Sequence, residues 1–221
     1  MTAGGTQIVR VWDLPTRVFH WLVVTLVVVA YVTSKLNWMD WHTRAGYTLL
    51  TLVLFRILWG FFGSDTAQFA RFLASPRAAT QHLKHLFLRE PDRQVGHNAA
   101  GGWMVMVLLA LLLGETLTGV YVINDVADEG PLTELTPAPI ANAITALHGF
   151  FWDALLAAAV LHVLAILVYA IAKGHNLLWP MITGYKRLPA SVPIPHTAGL
   201  ARALILLGCS ALAVAAIARF V

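Results

Sequence analysis

Two histidines stand in a stretch of the chain that is otherwise apolar and long enough to cross a membrane. The stretch runs from Thr145 to Ala172, and its histidines, His148 and His162, are fourteen positions apart. In an α-helix this spacing leaves the two rings about 40° out of alignment and roughly 21 Å apart along the axis. Imidazoles at two depths on one face could ligate two metal centres, and the alternative is a pair of hydrogen-bonded core histidines.

The composition is that of an integral membrane protein. Of the 221 residues, 58% are hydrophobic and only 12% are charged, which is about half the charged fraction of a soluble domain. The formal charge of +4 does not indicate a nucleic-acid partner, because the basic residues segregate by loop as membrane topology requires. The single cysteine excludes an internal disulfide, and the lack of a C-x-x-C-H motif excludes a covalently attached haem of the c type.

The hydropathy pattern predicts an all-α integral membrane protein with four transmembrane helices and a shorter fifth at the C-terminus. We expect the spans at about residues 18–33, 39–62, 101–122, 145–172 and 203–218. The last is at the short end for a membrane crossing, so a helix lying in the interface is its alternative. We expect residues 1–183 to form a four-helix bundle and residues 184–221 to form a cytoplasmic loop and the fifth helix.

The Lys and Arg residues predict the orientation of the chain. Of the 15, eleven precede the first span, lie between the second and third spans, or follow the fourth. Only Lys35, Arg44 and Arg219 fall on the other side. The positive-inside rule therefore places the N-terminus in the cytoplasm of a multi-pass protein of the bacterial inner membrane. The acidic loop at residues 124–139 then faces the periplasm, where it could receive a redox partner protein or could simply be the negative side of the topology.

This topology sorts four histidines into two pairs of equal depth. His42 and His148 both lie near the outer surface, whereas His20 and His162 share a level closer to the cytoplasm. Each pair joins two different helices, as a flat ligand held from both faces requires. A bare zinc or copper ion needs three or four converging side chains, whereas a haem needs only two axial ligands. The sequence therefore predicts two non-covalent b haems in a haem-binding bundle.

Haem propionates need cations, and four basic residues are candidates. Arg17 and Arg56 lie at the level of the inner histidine pair. Lys173, eleven residues past His162 and nearly in line with it, could snorkel to the interface. Arg44 lies close to the outer pair. For Arg44 and Lys173, the alternative is that they are only the positive flanks of their spans.

Four segments of the chain resemble the bacterial di-haem cytochrome b-561 family: Val11–Trp21, His42–Tyr47, Arg56–Gly60 and Gly96–Trp103. This family includes the cytochrome b subunit of nickel–iron hydrogenases and is similar to the cytochrome subunit of formate dehydrogenase. The resemblance covers roughly residues 7–183. It implies a four-helix bundle with two b haems, whose axial ligands at the matching positions would be His20, His42, His148 and His162.

Other polar residues in or near the spans have two interpretations each. His97 and Asn98 stand at the cytoplasmic start of the third span, where they could bind the head group of a quinone such as ubiquinone or menaquinone, or simply start the helix. We expect Glu115, within that span, to be a protonated and hydrogen-bonded carboxyl, with a proton relay as its alternative. His82 and His85 share a face of a polar surface segment, and we expect both to be solvated.

The leading hypothesis is transmembrane electron transfer between the membrane quinone pool and a redox partner, such as a dehydrogenase, a hydrogenase or a c-type cytochrome. The chain would then be an electron-transfer subunit rather than a self-contained enzyme, and a homodimer is left open. A stand-alone quinone-linked oxidoreductase, for example from superoxide to quinone, belongs to the same class. The rival hypothesis is a transporter that uses the histidines, Glu115 and Arg56. The sequence, however, lacks the inverted repeats and broken spans that are typical of transporters. A structural anchor would not need histidines at two depths.

Overall fold

The computed structural model of the chain describes residues 5–85, 88, 92–122 and 137–219. The α-helices of these ranges are α1 (Leu14–Lys35), α2 (Met39–Phe62), α3 (Phe69–Phe72), α4 (Pro76–Lys84), α5 (Ala99–Gly119), α6 (Ala138–Val168), α7 (Leu178–Thr183) and α8 (Leu200–Arg219). A short 3-10 helix, Asp65–Ala67, precedes α3, and a π-helical turn, Tyr169–Lys173, continues α6. Two strands, β1 (Thr6–Arg10) and β2 (Tyr185–Pro189), pair in an antiparallel sheet.

Within the described residues, five helices are long and apolar enough to cross a membrane: α1, α2, α5, α6 with its π turn, and α8. The chain is thus an all-α integral membrane protein, as the hydropathy pattern predicts. Helix α8 has 20 residues, which extend about 30 Å, the thickness of a bilayer's hydrocarbon core. The prediction of a fifth transmembrane helix is therefore confirmed. Helix α6 begins before the predicted span. The residues that precede the span, which include ANAIT, are also compatible with a helix.

The chain forms two compact units. Unit 1 comprises residues 1–18, 57–106 and 159–203, and unit 2 comprises residues 19–56, 107–158 and 204–221. Helices α1, α2, α5, α6 and α8 each contribute residues to both units. The boundaries of the two units do not coincide with residue 183. The predicted division of the chain at that residue stays a prediction.

The small sheet of unit 1 joins the N-terminal segment to the loop before α8. Val9 pairs with Lys186, and the buried side chains of Val9, Val11, Trp12, Leu188 and Val192 form one apolar cluster. Burial of these side chains supplies the free energy that holds two five-residue strands together, since such short strands are not stable alone.

Asp13 connects the start of α1 to α2 inside unit 1. One oxygen, Oδ1, accepts a hydrogen bond from the backbone N–H of Thr16 at 2.7 Å, so Asp13 caps the N-terminus of α1. The other, Oδ2, accepts from the indole Nε1–H of Trp59 at 3.1 Å. The side chains of Asp13 and Trp59 are both buried. These hydrogen bonds give the carboxylate of Asp13 and the indole N–H of Trp59 the partners that buried polar groups need.

Gly184 holds β2 against the segment that leads into α1. Its carbonyl accepts hydrogen bonds from the backbone N–H groups of Val11 and Trp12. Its φ of +90° is unfavourable for residues with a side chain, and a Cβ atom there would lie 2.8 Å from the carbonyl oxygen of Trp12. Glycine is therefore required at this position.

We expect Gly184→Ala to destabilise unit 1. The left-handed backbone conformation alone costs an alanine about 1–2 kcal/mol, and the Trp12 carbonyl would also have to move. Thermal unfolding of the detergent-solubilised protein, followed by circular dichroism, should begin several degrees lower than in the wild type. Gly199→Ala is the matched control, since a Cβ atom at Gly199 meets nothing within 4 Å. An unchanged unfolding midpoint in Gly184→Ala would contradict this role.

Candidate functional site

Two of the four predicted ligands lie face to edge in unit 2. His42, in the first turn of α2, and His148, in α6, have ring centroids 6.4 Å apart and ring planes at 88°. Both rings are partly buried. The structure thus brings together the two histidines that the sequence assigned to the outer level.

The Nδ1 atoms of both rings are bound to backbone carbonyls of a neighbouring helix. His42 Nδ1 lies 2.9 Å from the carbonyl oxygen of Ala30 in α1. His148 Nδ1 lies 3.0 Å from the carbonyl oxygen of Glu115 in α5. A carbonyl only accepts, so each Nδ1 carries the ring proton and each Nε2 keeps a lone pair. Metal-binding histidines are commonly oriented by such a hydrogen bond on the second nitrogen.

Helix α5 shapes the surroundings of His148 with three residues. The Thr118 hydroxyl oxygen lies 3.2 Å from His148 Nδ1. A Cβ atom on Gly119 would lie only 3.2 Å from His148 Cε1, so the absence of a side chain there leaves space for the ring. The carboxyl of Glu115 lies beside the ring, with Oε1 at 3.3 Å from His148 Nε2. Its Oε2 is buried without a hydrogen-bond partner in the described part of the chain, and the protonated, hydrogen-bonded carboxyl expected at Glu115 stays a prediction.

The two residues of the inner pair lie in different units, His20 in unit 2 and His162 in unit 1. The ring of His20 contacts that of Trp21 edge to face, at a centroid distance of 5.0 Å. His162 is half-buried on α6. Their pairing stays a prediction from depth and from the family resemblance.

The two arginines assigned to the inner level are held differently. Arg17 Nη1 donates a 2.6 Å hydrogen bond to the carbonyl of Ile182, whereas its Nε is buried without a hydrogen-bond partner in the described ranges. Arg56 is only 2% exposed. Buried guanidinium groups require anionic or polar partners. A bound carboxylate would supply Arg17 Nε with the hydrogen-bond acceptor that it lacks within the described ranges.

The other two predicted cations contact aromatic rings. Lys173 is buried in the π turn, with Nζ 6.0 Å from the ring centroid of Tyr169. Because a π turn has i→i+5 hydrogen bonds, the α-helical spacing that aligned Lys173 with His162 does not hold for this turn. Arg44 is exposed, and its guanidinium lies 5.3 Å from the centroid of the Trp41 ring, as either interpretation of Arg44 allows.

Unit 1 contains a cavity of about 1040 Å³. Its polar walls include Arg71, His82, His85 and His97, and Phe72 is one of its apolar residues. Pockets for small organic ligands have about this size and combine apolar walls with a few polar groups.

The quinone candidates His97 and Asn98 lie at this cavity and next to it. The His97 ring is packed between those of Trp12 and Phe72, at centroid distances of 4.6 and 4.7 Å. Asn98 caps α5, because its Oδ1 accepts a hydrogen bond from the backbone N–H of Gly101 at 2.7 Å. Asn98 therefore has the helix-starting role that was the alternative to quinone binding, and quinone binding stays a prediction.

The expectation that both histidines of the surface segment are solvated is wrong for His82. Its Nε2 lies 2.5 Å from the hydroxyl of Tyr169, and the two rings stack at an interplanar angle of 13°. Helix α4 turns this histidine toward the end of α6, which the sequence of α4 alone does not reveal. His85, one turn further on, is exposed. The acidic loop at 124–139 lies, except for residues 137–139, outside the described residues.

Comparison with protein families gives a match to the family described as prokaryotic cytochrome b561, over residues 11–184. The chain belongs to this family. Helix α8 lies beyond the matched residues. No curated protein and no solved structure matches the chain. Family membership makes the chain a multi-pass bacterial membrane cytochrome that binds b-type haem and transfers electrons.

The geometry of the outer pair fits b-type haem. A metal–imidazole bond is about 2.0–2.1 Å long and the ring centre lies about 1.2 Å behind the nitrogen, so two imidazoles on opposite sides of one ion have centroids roughly 6.4–6.6 Å apart. The observed separation is 6.4 Å. The described residues contain no group of three or more His, Cys, Asp or Glu that could hold a bare metal ion. Two imidazoles therefore suit a macrocycle that supplies the other ligands itself.

We expect Gly119→Val in this cytochrome b561 to displace the His148 ring and so reduce haem binding. The added side chain would begin 3.2 Å from His148 Cε1 and extend further into the ring. The measurement is the haem-to-protein ratio of the purified protein, from the absorbance of its pyridine haemochrome. Gly149→Val is the matched control, since Gly149 follows His148 directly but has open space at its Cβ position. Equal haem content in both variants would show that α5 does not position His148.

Proposed function

We propose that this cytochrome b561 carries two b haems and conducts electrons across the bacterial inner membrane, between a periplasmic redox partner and the quinone pool. The observation that carries the proposal is the outer histidine pair. His42 and His148 come from different helices, have ring centroids 6.4 Å apart and have each Nδ1 bound to a backbone carbonyl. Neither packing nor helix formation requires this arrangement, whereas axial ligation does.

For the second haem we propose His20 and His162 as the axial ligands. His162 lies on the same continuous helix, α6, as His148, and fourteen residues separate the two. The topology derived from Lys and Arg gives His20 the same depth as His162. A haem iron with two imidazole ligands supplies reversible one-electron chemistry when bound. The protein's contribution is to fix both ring tautomers and to keep water out of the ligand shell.

Basic residues would neutralise the propionates. For the inner haem we propose Arg17, Arg56 and Lys173, all of which lie at the cytoplasmic level by sequence. The buried Arg17 Nε, which has no hydrogen-bond partner in the described part of the chain, supports this assignment because a carboxylate would complete its hydrogen bonding. For the outer haem we propose Arg44.

The quinone would bind in the cavity of unit 1. Its volume of about 1040 Å³ accommodates a quinone head group and the first part of its tail. His97, packed between two aromatic rings, offers a polar group in an apolar wall. By the positive-inside rule this cavity faces the cytoplasm, whereas the redox partner meets the chain on the periplasmic side.

Single histidine variants test the number of haems and their ligands. We expect His148→Ala and His162→Ala each to lose one of two haems, because an axial ligand is removed from a different site in each variant. The haem-to-protein ratio and a potentiometric titration of the b-band absorbance measure the number of haems per chain. The wild type should give two redox transitions and each variant one. The remaining transition should differ between the two variants.

His196→Ala serves as the control, because His196 lies in the loop before α8 and is assigned to no site. It should keep both haems. If His162→Ala also kept both, the inner ligand assignment would be wrong. If the wild type held one haem, the two-haem proposal itself would fail.

A further inference from the structure

A hydrogen-bonded chain connects the cavity of unit 1 to the end of α6. The hydroxyl of the buried Tyr169 lies 2.5 Å from Nε2 of His82, which lines the cavity. The same hydroxyl is hydrogen-bonded to the side chain of Asn98. The rings of Tyr169 and His82 are also stacked, with an interplanar angle of 13°. Three segments distant in sequence thus meet at one phenol oxygen.

The donors and acceptors in this chain can be assigned. Asn98 Oδ1 accepts from the backbone N–H of Gly101, so its NH₂ group is left to donate to the Tyr169 oxygen. The Tyr169 hydroxyl proton is then directed at His82 Nε2. With Nε2 as acceptor, a neutral His82 carries its own proton on Nδ1. The arrangement resembles a hydroxyl–imidazole pair set up to pass a proton.

Tyr169 lies on the face of α6 that carries His162. Seven residues of helix separate them, which leaves the side chains about 20° out of alignment and roughly 10 Å apart along the axis. Tyr169 is also the first residue of the π turn, and π turns are frequent at functional sites. The cavity therefore lies within about two helical turns of the proposed inner haem ligand.

We propose that His82 and Tyr169 form the proton-transfer pair for a quinone bound in this cavity. The proposal rests on the quinone-linked function given above. Conversion of a quinone to a quinol takes up two electrons, supplied singly by the electron-transfer activity, and two protons. For each proton, His82 gives its Nδ1 proton to a quinone oxygen and takes the Tyr169 hydroxyl proton on Nε2. Water then protonates His82 Nδ1, and His82 returns its Nε2 proton to the Tyr169 oxygen, so both groups are restored for the second proton. Quinol oxidation runs the steps in reverse.

Asn98 and Lys173 stabilise the intermediate charge on Tyr169. The Asn98 amide is hydrogen-bonded to the phenol oxygen, and the buried Lys173 Nζ is 6.0 Å from the ring centroid. The N–H dipole and the cation both interact favourably with a transient negative charge on the phenol oxygen. Of the cavity's other histidines, His97 is packed between two aromatic rings and His85 is exposed. Among these three histidines, His82 is the one whose ring stacks on the buried Tyr169.

The test compares two electron acceptors in Tyr169→Phe and His82→Phe. Each variant is prepared as the full chain with its haem and reduced with dithionite. It is then mixed in a stopped-flow instrument with a short-tailed ubiquinone analogue or with ferricyanide, which needs no proton. We expect quinone-driven oxidation to slow about tenfold in Tyr169→Phe and about a hundredfold in His82→Phe, since acid–base groups typically contribute 10²–10⁴-fold. Oxidation by ferricyanide should be unchanged. Tyr185→Phe, in β2, is the control and should match the wild type with both acceptors.

A binding measurement separates proton transfer from quinone recognition. In isothermal titration calorimetry with the oxidised protein, Tyr169→Phe should bind the quinone analogue as the wild type does, because the phenyl ring keeps the stacking. Wild-type rates with quinone in both variants would overturn the proton-transfer pair and leave the proposed function standing. Equal losses with quinone and ferricyanide would also overturn it, since the residues would then be structural. A wild type that neither binds nor reacts with the quinone would refute the quinone-linked function itself.

Discussion

The hydrogen bond between the Nδ1 of each outer histidine and a backbone carbonyl is the interaction on which the proposed haem site depends. A neutral imidazole has one N–H and one lone pair, so a proton held at Nδ1 leaves Nε2 as the ligand atom. The acceptors, Ala30 and Glu115, belong to helices α1 and α5. A helical carbonyl has a second lone pair, so it can accept this bond without breaking the helix. The packing of neighbouring helices therefore fixes the tautomer, and in lipid no water competes for these groups.

Features that depend on one segment at a time were predictable from the sequence. Hydropathy gave the second span at its observed bounds, Met39–Phe62, because an apolar run of this length has few alternatives to a membrane helix. Asp13 as a cap follows from its side-chain chemistry and its position before a proline-containing first turn. The pairing of His42 with His148 also needed only a topology and a helical rise, since two spans that both begin at the outer surface bring residues of equal depth to one level.

Features that depend on distant segments could not be predicted in this way. Strands β1 and β2 have five residues each and are about 175 positions apart, so neither has a local partner that would mark it as a strand. Helix α4 has an amphipathic pattern, but the pattern does not say that His82 meets Tyr169. Likewise, the sequence places Glu115 in a span without indicating that its carboxyl lies beside His148. In each case a polar or apolar group finds its partner through the tertiary fold.

Helix α6 and its π turn carry candidate functional residues at several depths of the membrane. His148, His162 and Tyr169 follow each other at intervals of fourteen and seven residues, and a helix of 3.6 residues per turn drifts by only about 20° in each heptad. Over both intervals the drift sums to about 60°, which is still within the roughly 100° that one face of a helix covers. A continued α-helix would carry the next groups further around, but α6 changes to a π turn at Tyr169 and ends with Gly174 in a left-handed conformation. The stripe of chemically active residues therefore ends where the helix geometry changes. That point is also where α6 meets the cavity-lining His82 and the cap of α5, so the last residue of the stripe is the one that contacts groups from other segments.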